Sequence, residues 1–299
     1  MIKTKLKVER ELLLEKPLSA GRPAYVTAAS GIVKKGDRFF VIADDEYFLF
    51  SFRESEKFLT SYRLMDGELP VDPKERKKMK PDFEALLLLN ESDYPPFGAL
   101  VAWPSASTKR RMTGVLIPMT AKGEPDKPQV FDISALEKKL KIHVKDLNFE
   151  GIFIKDQKLQ LLHRGSGKIM VNGIFKMNFA EWLKAIRSGN WDMNIEFEKL
   201  GLEKLAGVDL SFTDAVIGST GPMALATAEG NKNSFVDGKV HGSVLFRLEQ
   251  GKAVLITEFE PITKLEGIVL DGKSAFLVDD ADDVSKPSRL YKIENFKTF

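Results

Sequence analysis

Short runs of apolar residues, separated by turn residues, recur along the whole chain. Between Ser211 and Glu260 they read SFTDAVIG, PMALATAE, GSVLFRLE and AVLITEFE. Glycine, Asp-Gly or Lys-Gly bounds many of these runs, and such residues favour tight hairpin turns. The pattern therefore predicts a chain of short antiparallel β-strands joined by hairpins.

One local pattern occurs five times: a small or acidic residue, then glycine or alanine, then an apolar strand. The small or acidic residues are Ser30, Glu84, Glu150, Asp214 and Glu266. Neighbouring positions are 52 to 66 residues apart, and the path from Glu266 through both termini back to Ser30 adds 63 residues. Because five similar steps use the whole chain, the repeat indicates a closed ring of five similar units.

Each repeat contains strand-like runs in the number that makes one β-propeller blade. We predict an all-β fold, a single five-bladed β-propeller domain over residues 1–299 with four antiparallel strands per blade. The predicted blades cover residues 24–70, 80–136, 146–201, 209–260 and 262–299. The last repeat is one strand short, so an N-terminal strand within residues 4–15 is expected to close that blade and protect its edge. The alternative is a two-sheet sandwich, which would not need a repeat that closes through the termini.

One segment has the periodicity of a helix. Asn178 can cap a helix, Glu181 follows three residues later, apolar residues recur at helical spacing, and Gly189 ends the segment. We therefore predict one short helix near residues 178–188 that decorates the outside of the third blade.

Composition and charge exclude several classes of protein and of site. The chain has 45 Lys and Arg against 43 Asp and Glu, a balance that does not favour nucleic-acid binding. The absence of cysteine excludes disulfides and thiolate metal sites. No apolar run approaches the roughly 20 residues of a membrane span, and the first residues lack the apolar core of a secretory signal. We expect a cytoplasmic protein without a membrane partner, or a periplasmic one if a leader has been removed.

In a propeller, the start of the innermost strand and the end of the second strand face the same mouth of the central channel. We therefore expect Glu84, Glu150, Asp214 and Glu266 to converge there. Carboxylates close together need a counter-charge, for which a bound metal, Arg164 and shared protons are the candidates. Oxygen ligands suit Ca²⁺, so these four acids are the predicted metal ligands. The alternative is a structural plug of salt bridges that fills the channel.

Further charged residues are predicted at the same mouth. The predicted ligand-binding residues are Arg22, Asp45, Arg110, Arg111, Glu229, Lys264 and Asp280. Basic residues around a metal-loaded centre fit a small anionic molecule, so the first hypothesis is a metal-dependent hydrolase of a phosphoester, ester or lactone. Arg164 and His241 would stabilise the negative charge that develops in that reaction. The second hypothesis is a non-catalytic scaffold, or a propeller that binds a protein or glycan above a structural plug.

Two further features of the mouth have both a functional and a structural interpretation. Trp103, at the end of a predicted strand, is either a stacking platform for a ligand or a packing residue. The polar loop over residues 230–242 is either a lid over the channel or an ordinary surface loop.

Short motifs around the repeat positions resemble those of a known family. The motifs are Leu147–Gly151, Leu161–Gly165, Ser211–Ala215, Asp237-Gly238 with Gly242-Ser243, and Lys264–Gly267. Together they resemble an uncharacterised bacterial β-propeller family of unknown function, related to phytase-like and SdiA-regulated propellers, over essentially the whole chain. The resemblance implies a propeller fold, and the phytase-like relatives imply calcium held by channel carboxylates. Ser30 departs from the acid of the other repeats, and the resemblance transfers no catalytic set.

Overall fold

The computed structural model describes residues 2–165, 170–230 and 238–296. These residues form a five-bladed β-propeller, and each blade is built on four antiparallel strands, as the sequence repeat predicts. Within the described ranges, no helix has the length and apolar character needed to cross a membrane.

Two short strands, β1 (Lys3–Lys5) and β2 (Lys7–Glu11), open the chain. Blade one consists of β3 (Ala29–Lys35), β4 (Arg38–Ala43), β5 (Phe48–Arg53) and β6 (Thr60–Arg63). Helix α1 (Pro73–Met79) leads into blade two, which consists of β7 (Phe83–Leu89), β8 (Ala99–Pro104), β9 (Thr113–Pro118) and β10 (Gln129–Asp132).

A short 3-10 helix (Ser134–Leu136) and helix α2 (Glu137–Leu140) connect to blade three. That blade contains β11 (Phe149–Lys155), β12 (Lys158–His163), β13 (Asn172–Asn178), helix α3 (Phe179–Ser188) and β14 (Glu196–Leu200). Blade four consists of β15 (Lys204–Leu205), β16 (Val208–Gly218), β17 (Gly221–Gly230), β18 (Lys239–Glu249) and β19 (Lys252–Glu260). Blade five consists of β20 (Lys264–Asp271), β21 (Ser274–Asp280) and β22 (Arg289–Ile293), with β2 as its outer strand.

The inner strands β3, β7, β11, β16 and β20 form a closed ring, because each contacts the inner strands of both neighbouring blades. Five hydrophobic clusters fill the five spaces between adjacent blades. In the cluster between blades two and three, the ring of Trp103 lies 6.0 Å from Trp182 and 6.2 Å from Trp191. Trp103 is fully buried there, so it is a packing residue and not a ligand platform.

The N-terminal segment crosses three blades. β2 pairs with β22 and completes blade five, as expected, but β1 pairs in parallel with β19 of blade four. Beyond β2, Leu14 bridges to Leu59 of blade one and is buried with Leu12 in the cluster between blades five and one. The prediction of a single closing strand within residues 4–15 was therefore incomplete. Alternating polar and apolar residues mark a strand but do not say with which blade each part pairs.

The predicted helix is α3. The Asn178 side chain accepts a hydrogen bond from the backbone N–H of Glu181 at 3.0 Å, and Gly189 ends the helix at a φ of 70°. Its buried residues, including Trp182 and Ile186, pack in the cluster between blades two and three. The sequence did not predict α1 and α2, because both are short and mostly polar and so lack an apolar periodicity.

Candidate functional site

Each inner strand has a β-bulge at the mouth of the channel. Pairing with the second strand skips one residue, which is Ser30, Glu84, Glu150, Thr213 or Glu266 in blades one to five. A bulge redirects the skipped residue out of the regular alternation of the strand. The five residues are therefore structural equivalents around the ring.

Asp214 is not one of these equivalents. It follows the bulge, in the register position that Gly151 and Gly267 hold in their own blades. Its carboxylate accepts hydrogen bonds from the backbone N–H groups of Ala215 and Ile268, each at 2.7 Å, and so joins blades four and five. The prediction that Asp214 matches the three glutamates was wrong by one residue, because the sequence does not show which residue of Thr-Asp the bulge displaces.

The glycines that follow Glu150 and Glu266 are required by the close approach of neighbouring blades. A Cβ on Gly151 would lie 2.9 Å from the backbone nitrogen of Ala215, and a Cβ on Gly267 would lie 3.1 Å from that of Ile32. The glycine of the Glu-Gly pattern is therefore explained by the close packing of neighbouring inner strands.

Blades one and four carry a hydroxyl group where the other three blades carry a glutamate. The Ser30 hydroxyl donates a hydrogen bond to the backbone oxygen of Phe83, the residue before Glu84 in the next blade. The Thr213 hydroxyl donates in the same way to the oxygen of Leu265, at 2.8 Å, the residue before Glu266. Ser30 is therefore one of two hydroxyl positions that link consecutive blades, rather than a lone departure from an acidic ring.

Arg164 supplies the positive charge in blade three. Its guanidinium lies 3.4 Å from Glu150 Oε1 and 3.0 Å from Glu229 Oε2. Asn148 also donates to Glu150 Oε1, at 2.7 Å. Burial alone would lower the pKa of Arg164, but the surrounding glutamates, led by Glu150 and Glu266, outweigh it and raise the pKa. Arg164 is therefore a permanently charged partner of acids in two blades.

Lys264 has the same role in blade five. Its ammonium lies 3.2 Å from Glu266, 3.1 Å from Asp280 and 3.2 Å from Asp282. Burial disfavours the charged form, but Asp280 and Glu266 raise the pKa of Lys264 well above its ordinary value. The predicted ligand-binding residues Lys264 and Asp280 are thus bound to each other.

Lys80 is the third cation, and the sequence did not identify it as a residue of the channel mouth. Its ammonium bonds to Asp44 and lies 2.7 Å from Asp82. Oxygen atoms of Asp44, Asp82 and Glu84 lie within 4.8 Å of one another, and within the described ranges this is the one acidic group with metal-like spacing. Because Lys80 bonds to two of these acids, it already provides a cation there. The sequence signal is its place close to the start of an inner strand, as for Lys264, but Lys80 ends a basic run that looks solvent-exposed.

Several carboxyl groups at the mouth hold their protons unusually strongly. Burial raises the pKa of Glu150 to about 8 and that of Asp44 to about 7. Burial and the nearby Asp82 raise the pKa of Glu84 well above its ordinary value, and no hydrogen bond from the described residues reaches its carboxyl group. Burial also acts on Asp82, but Lys80 and Arg111 outweigh it and lower that pKa. Neutral and ionised carboxyl groups therefore coexist near pH 7.

A separate network of buried charges lies in blade one. Arg22 bonds to Glu46 and lies 3.7 Å from Asp45. Asp45 also accepts a hydrogen bond from Arg76 Nε at 2.9 Å. Burial raises the pKa of Glu46 to about 7, with Arg22 and Arg76 acting in the opposite direction. The predicted rim residues Arg22 and Asp45 are therefore buried and paired.

The remaining predicted site residues are dispersed. Arg111 donates to Asp82 Oδ2 at 2.9 Å, whereas Arg110 is exposed to solvent. Glu229 is paired with Arg164 and also accepts the backbone N–H of Gly238 at 2.9 Å. His241 lies on β18, the third strand from the axis, beside Gly230. Most of the loop predicted as a lid, residues 231–237, lies outside the described residues.

A family model described as "Family of unknown function (DUF6929)" matches residues 25–294. Among curated proteins, none matches the chain significantly.

Solved structures with the same fold include enzymes that act on carbohydrates. An α-L-arabinofuranosidase from Podospora anserina in complex with cellotriose has a TM-score of 0.50 at 11% identity, over 98% of this chain and 95% of that chain. An exo-β-1,3-galactanase from Phanerochaete chrysosporium with β-1,3-galactotriose has a TM-score of 0.50 at 10% identity, over 96% of this chain and 63% of that chain. At such low identity the likeness establishes the propeller fold alone. Neither structure is of the phytase-like or SdiA-regulated kind that the sequence motifs suggest.

Proposed function

The chain belongs to the DUF6929 family of unknown function, and we propose that it binds a carbohydrate at the mouth of its central channel. The observation that carries the proposal is a ring of hydrogen-bond donors and acceptors around one opening. Lys80, Arg164 and Lys264 each lie beside carboxyl groups, and the side chains of these three residues and of Asp44 and Asp280 are 11 to 18% exposed. Sugar hydroxyl groups both donate and accept hydrogen bonds, so a polyhydroxylated ligand matches this mixture of donors and acceptors.

The pairing of the basic residues does not support an anionic ligand. The basic residues behind that prediction were Arg22, Arg110, Arg111 and Lys264. Arg110 is exposed, and the other three bind carboxylates of the protein itself. A further negative charge would meet partly ionised acids and raise their pKa values further. The anionic-ligand prediction stays untested, and we favour an uncharged ligand.

The geometry favours binding over hydrolysis. Glycoside hydrolysis uses two carboxyl groups roughly 5 to 9.5 Å apart, on either side of the bond that is cleaved. One oxygen from each of Asp44, Asp82 and Glu84 lies within 4.8 Å of the other two, and Lys80 bonds to the two aspartates. Glu150 and Glu266 are only 3% and 4% exposed. These positions leave little room for a sugar between two carboxyl groups, so we propose binding without glycoside hydrolysis. The predicted metal-dependent hydrolase of a phosphoester, ester or lactone, with Arg164 and His241 in catalysis, stays untested.

The calcium site predicted from Glu84, Glu150, Asp214 and Glu266 also stays untested. We propose instead that Lys80, Arg164 and Lys264 supply the positive charge that these acids need. The predicted relation to phytase-like and SdiA-regulated propellers, from which the calcium expectation came, likewise stays a prediction.

Titration calorimetry with cellotriose, β-1,3-galactotriose and arabinotriose tests the proposal. We expect at least one of these sugars to bind the protein. Glu84→Ala should weaken that binding about tenfold or more, because it removes a carboxyl group that would accept or donate a hydrogen bond. Glu91→Ala is the matched control, since Glu91 follows the same strand at the opposite face of blade two. Absence of binding by all three sugars, or equal loss in both variants, would contradict the proposal.

A further inference from the structure

The face of the propeller that holds the channel mouth also carries a basic surface on blade two and its connection to blade three. Three segments form this surface: α1, the loop between β8 and β9, and the stretch around α2. All three connect strands at the mouth face. The guanidinium of Arg111 donates to the backbone oxygen of Lys77 at 3.0 Å, which joins the loop to α1. Lys141 and the loop residue Lys109 both lower the pKa of Glu137, which places the loop close to α2.

We call this surface the basic patch. Its exposed basic residues are Lys74, Lys77, Lys78, Lys109, Arg110, Lys138 and Lys141. The acidic side chains of its two helices, Glu75 and Glu137, are each paired at 2.7 Å, with Lys78 and Lys141 respectively. The chain as a whole carries a net charge of only +2, so the basic patch is a local concentration of positive charge. The sequence showed separate basic runs, and only the fold brings them together.

Two large apolar side chains project from the same segments. Met79, at the end of α1, is 50% exposed, and Ile142, just after α2, is 80% exposed. Each has basic neighbours in the chain, Lys78 and Lys80 for Met79 and Lys141 for Ile142. Apolar side chains on a lysine-rich surface can insert into the headgroup region of a membrane and add to the attraction of the charges.

We propose that the basic patch binds the surface of an anionic phospholipid bilayer. Clusters of four to eight basic residues are attracted to anionic lipids, and inserted apolar side chains add to that attraction. Protein interfaces are typically depleted in lysine and enriched in arginine and aromatic residues. The patch has the reverse composition, with one exposed arginine and no Phe, Tyr or Trp in the segments 73–79, 105–111 and 137–142. The same lack of aromatic residues disfavours single-stranded nucleic acid, whose bases stack on such side chains.

The expectation of no membrane partner came from the absence of a spanning segment and of a signal. Contact at the lipid surface needs neither, because it depends on charge and on shallow insertion. In this orientation the channel mouth would face the membrane, which would bring a ligand site close to the lipid headgroups.

Vesicle flotation with the full-length protein tests the proposal. We expect binding to phosphatidylcholine vesicles that contain about one third phosphatidylserine, no binding to pure phosphatidylcholine vesicles, and release at high salt. The triple variant Lys74→Glu, Lys109→Glu and Arg110→Glu should lower the partition coefficient at least about tenfold. The control variant replaces Lys122, Lys127 and Lys273 with glutamate; these three lysines are also exposed and lie on the opposite face. Circular dichroism of both variants would confirm that each is folded.

Ile142→Gln tests the apolar contribution, with Ile217→Gln as the control at another exposed isoleucine. We expect a few-fold weaker partition for the first variant and no change for the second. Equal partition into both vesicle types, or equal loss in the two triple variants, would overturn the proposal. Binding of duplex RNA or of polyglutamate without binding of anionic vesicles would assign the patch to another class of partner and would also overturn it.

Discussion

At the scale of single residues, the centre of the propeller is organised by basic side chains that each lie beside acidic ones. Glu150 lies beside Arg164, Glu266 beside Lys264, and the acids around Glu84 beside Lys80. An unpaired charge at such depth would cost several kcal/mol, because burial removes its hydration. The blades without a central glutamate, one and four, use the hydroxyls of Ser30 and Thr213 and need no cation at that position.

Glu150 gives these pairs a measurable dependence on pH. Its pKa in the folded protein is about 8, above the ordinary value of a glutamate. The contribution of Glu150 to stability is therefore fully present below the pKa that this residue has in the unfolded chain, and it is lost as the pH rises through 8. Glu150→Gln removes this titration. Between pH 6 and pH 9, we expect the free energy of unfolding, measured with urea, to fall by at least about 1 kcal/mol less in the variant than in the wild type. The control Glu91→Gln should follow the wild type, and an identical pH dependence for all three proteins would show that Glu150 is not held neutral.

Some of these residues could be identified from the sequence, and others could not. Arg164 and Lys264 flank apolar strands, which marks them as basic residues that need a partner. Lys80 ends a run of lysines that resembles an ordinary solvated turn, and only the fold turns its side chain towards Asp44 and Asp82. A bulge makes Thr213, and not Asp214, the equivalent of the glutamates in the other blades. The position of a bulge within a strand depends on pairing partners that the local sequence does not contain.

At the scale of elements, the N-terminal segment pairs with residues at the outer edges of three blades. β1 covers the edge of β19, β2 covers β22, and Leu14 reaches Leu59. Exposed strand edges promote association between molecules, so covering them is a protective feature. The strand repeat made the four-stranded blades predictable. The parallel pairing of β1 was not predictable, because three residues carry too little pattern to choose a partner strand.

Removal of residues 1–5 tests the role of β1. We expect the free energy of unfolding to fall by about 2–3 kcal/mol, because several backbone hydrogen bonds with β19 are lost. Sedimentation velocity should also show self-association through the uncovered edge. The double variant Lys3→Ala and Lys5→Ala keeps the backbone pairing and should stay within about 0.5 kcal/mol of the wild type. A truncated chain as stable and as monomeric as the full-length one would show that β1 has no protective role.

At the scale of the whole molecule, five blades close around an axis at which side chains from distant parts of the chain meet. The regular spacing of the repeat was sufficient to predict this closure, because a ring of five units accounts for every segment. The nature of the centre was not predictable in the same way. Whether acids around an axis bind a metal or pair with internal cations depends on side chains from the connecting segments, such as Lys80, whose direction no repeat encodes.

The organisation of the centre depends most on Lys80, Arg164 and Lys264, which we propose neutralise the channel acids without a metal. Scanning calorimetry after dialysis against EDTA, with and without added Ca²⁺, measures this most directly. We predict the same melting temperature, within about 1 °C, under both conditions. A calcium-dependent rise of several degrees that grows with the logarithm of the Ca²⁺ concentration, as mass action requires for a ligand of the folded state, would contradict the account and would support a metal at the centre.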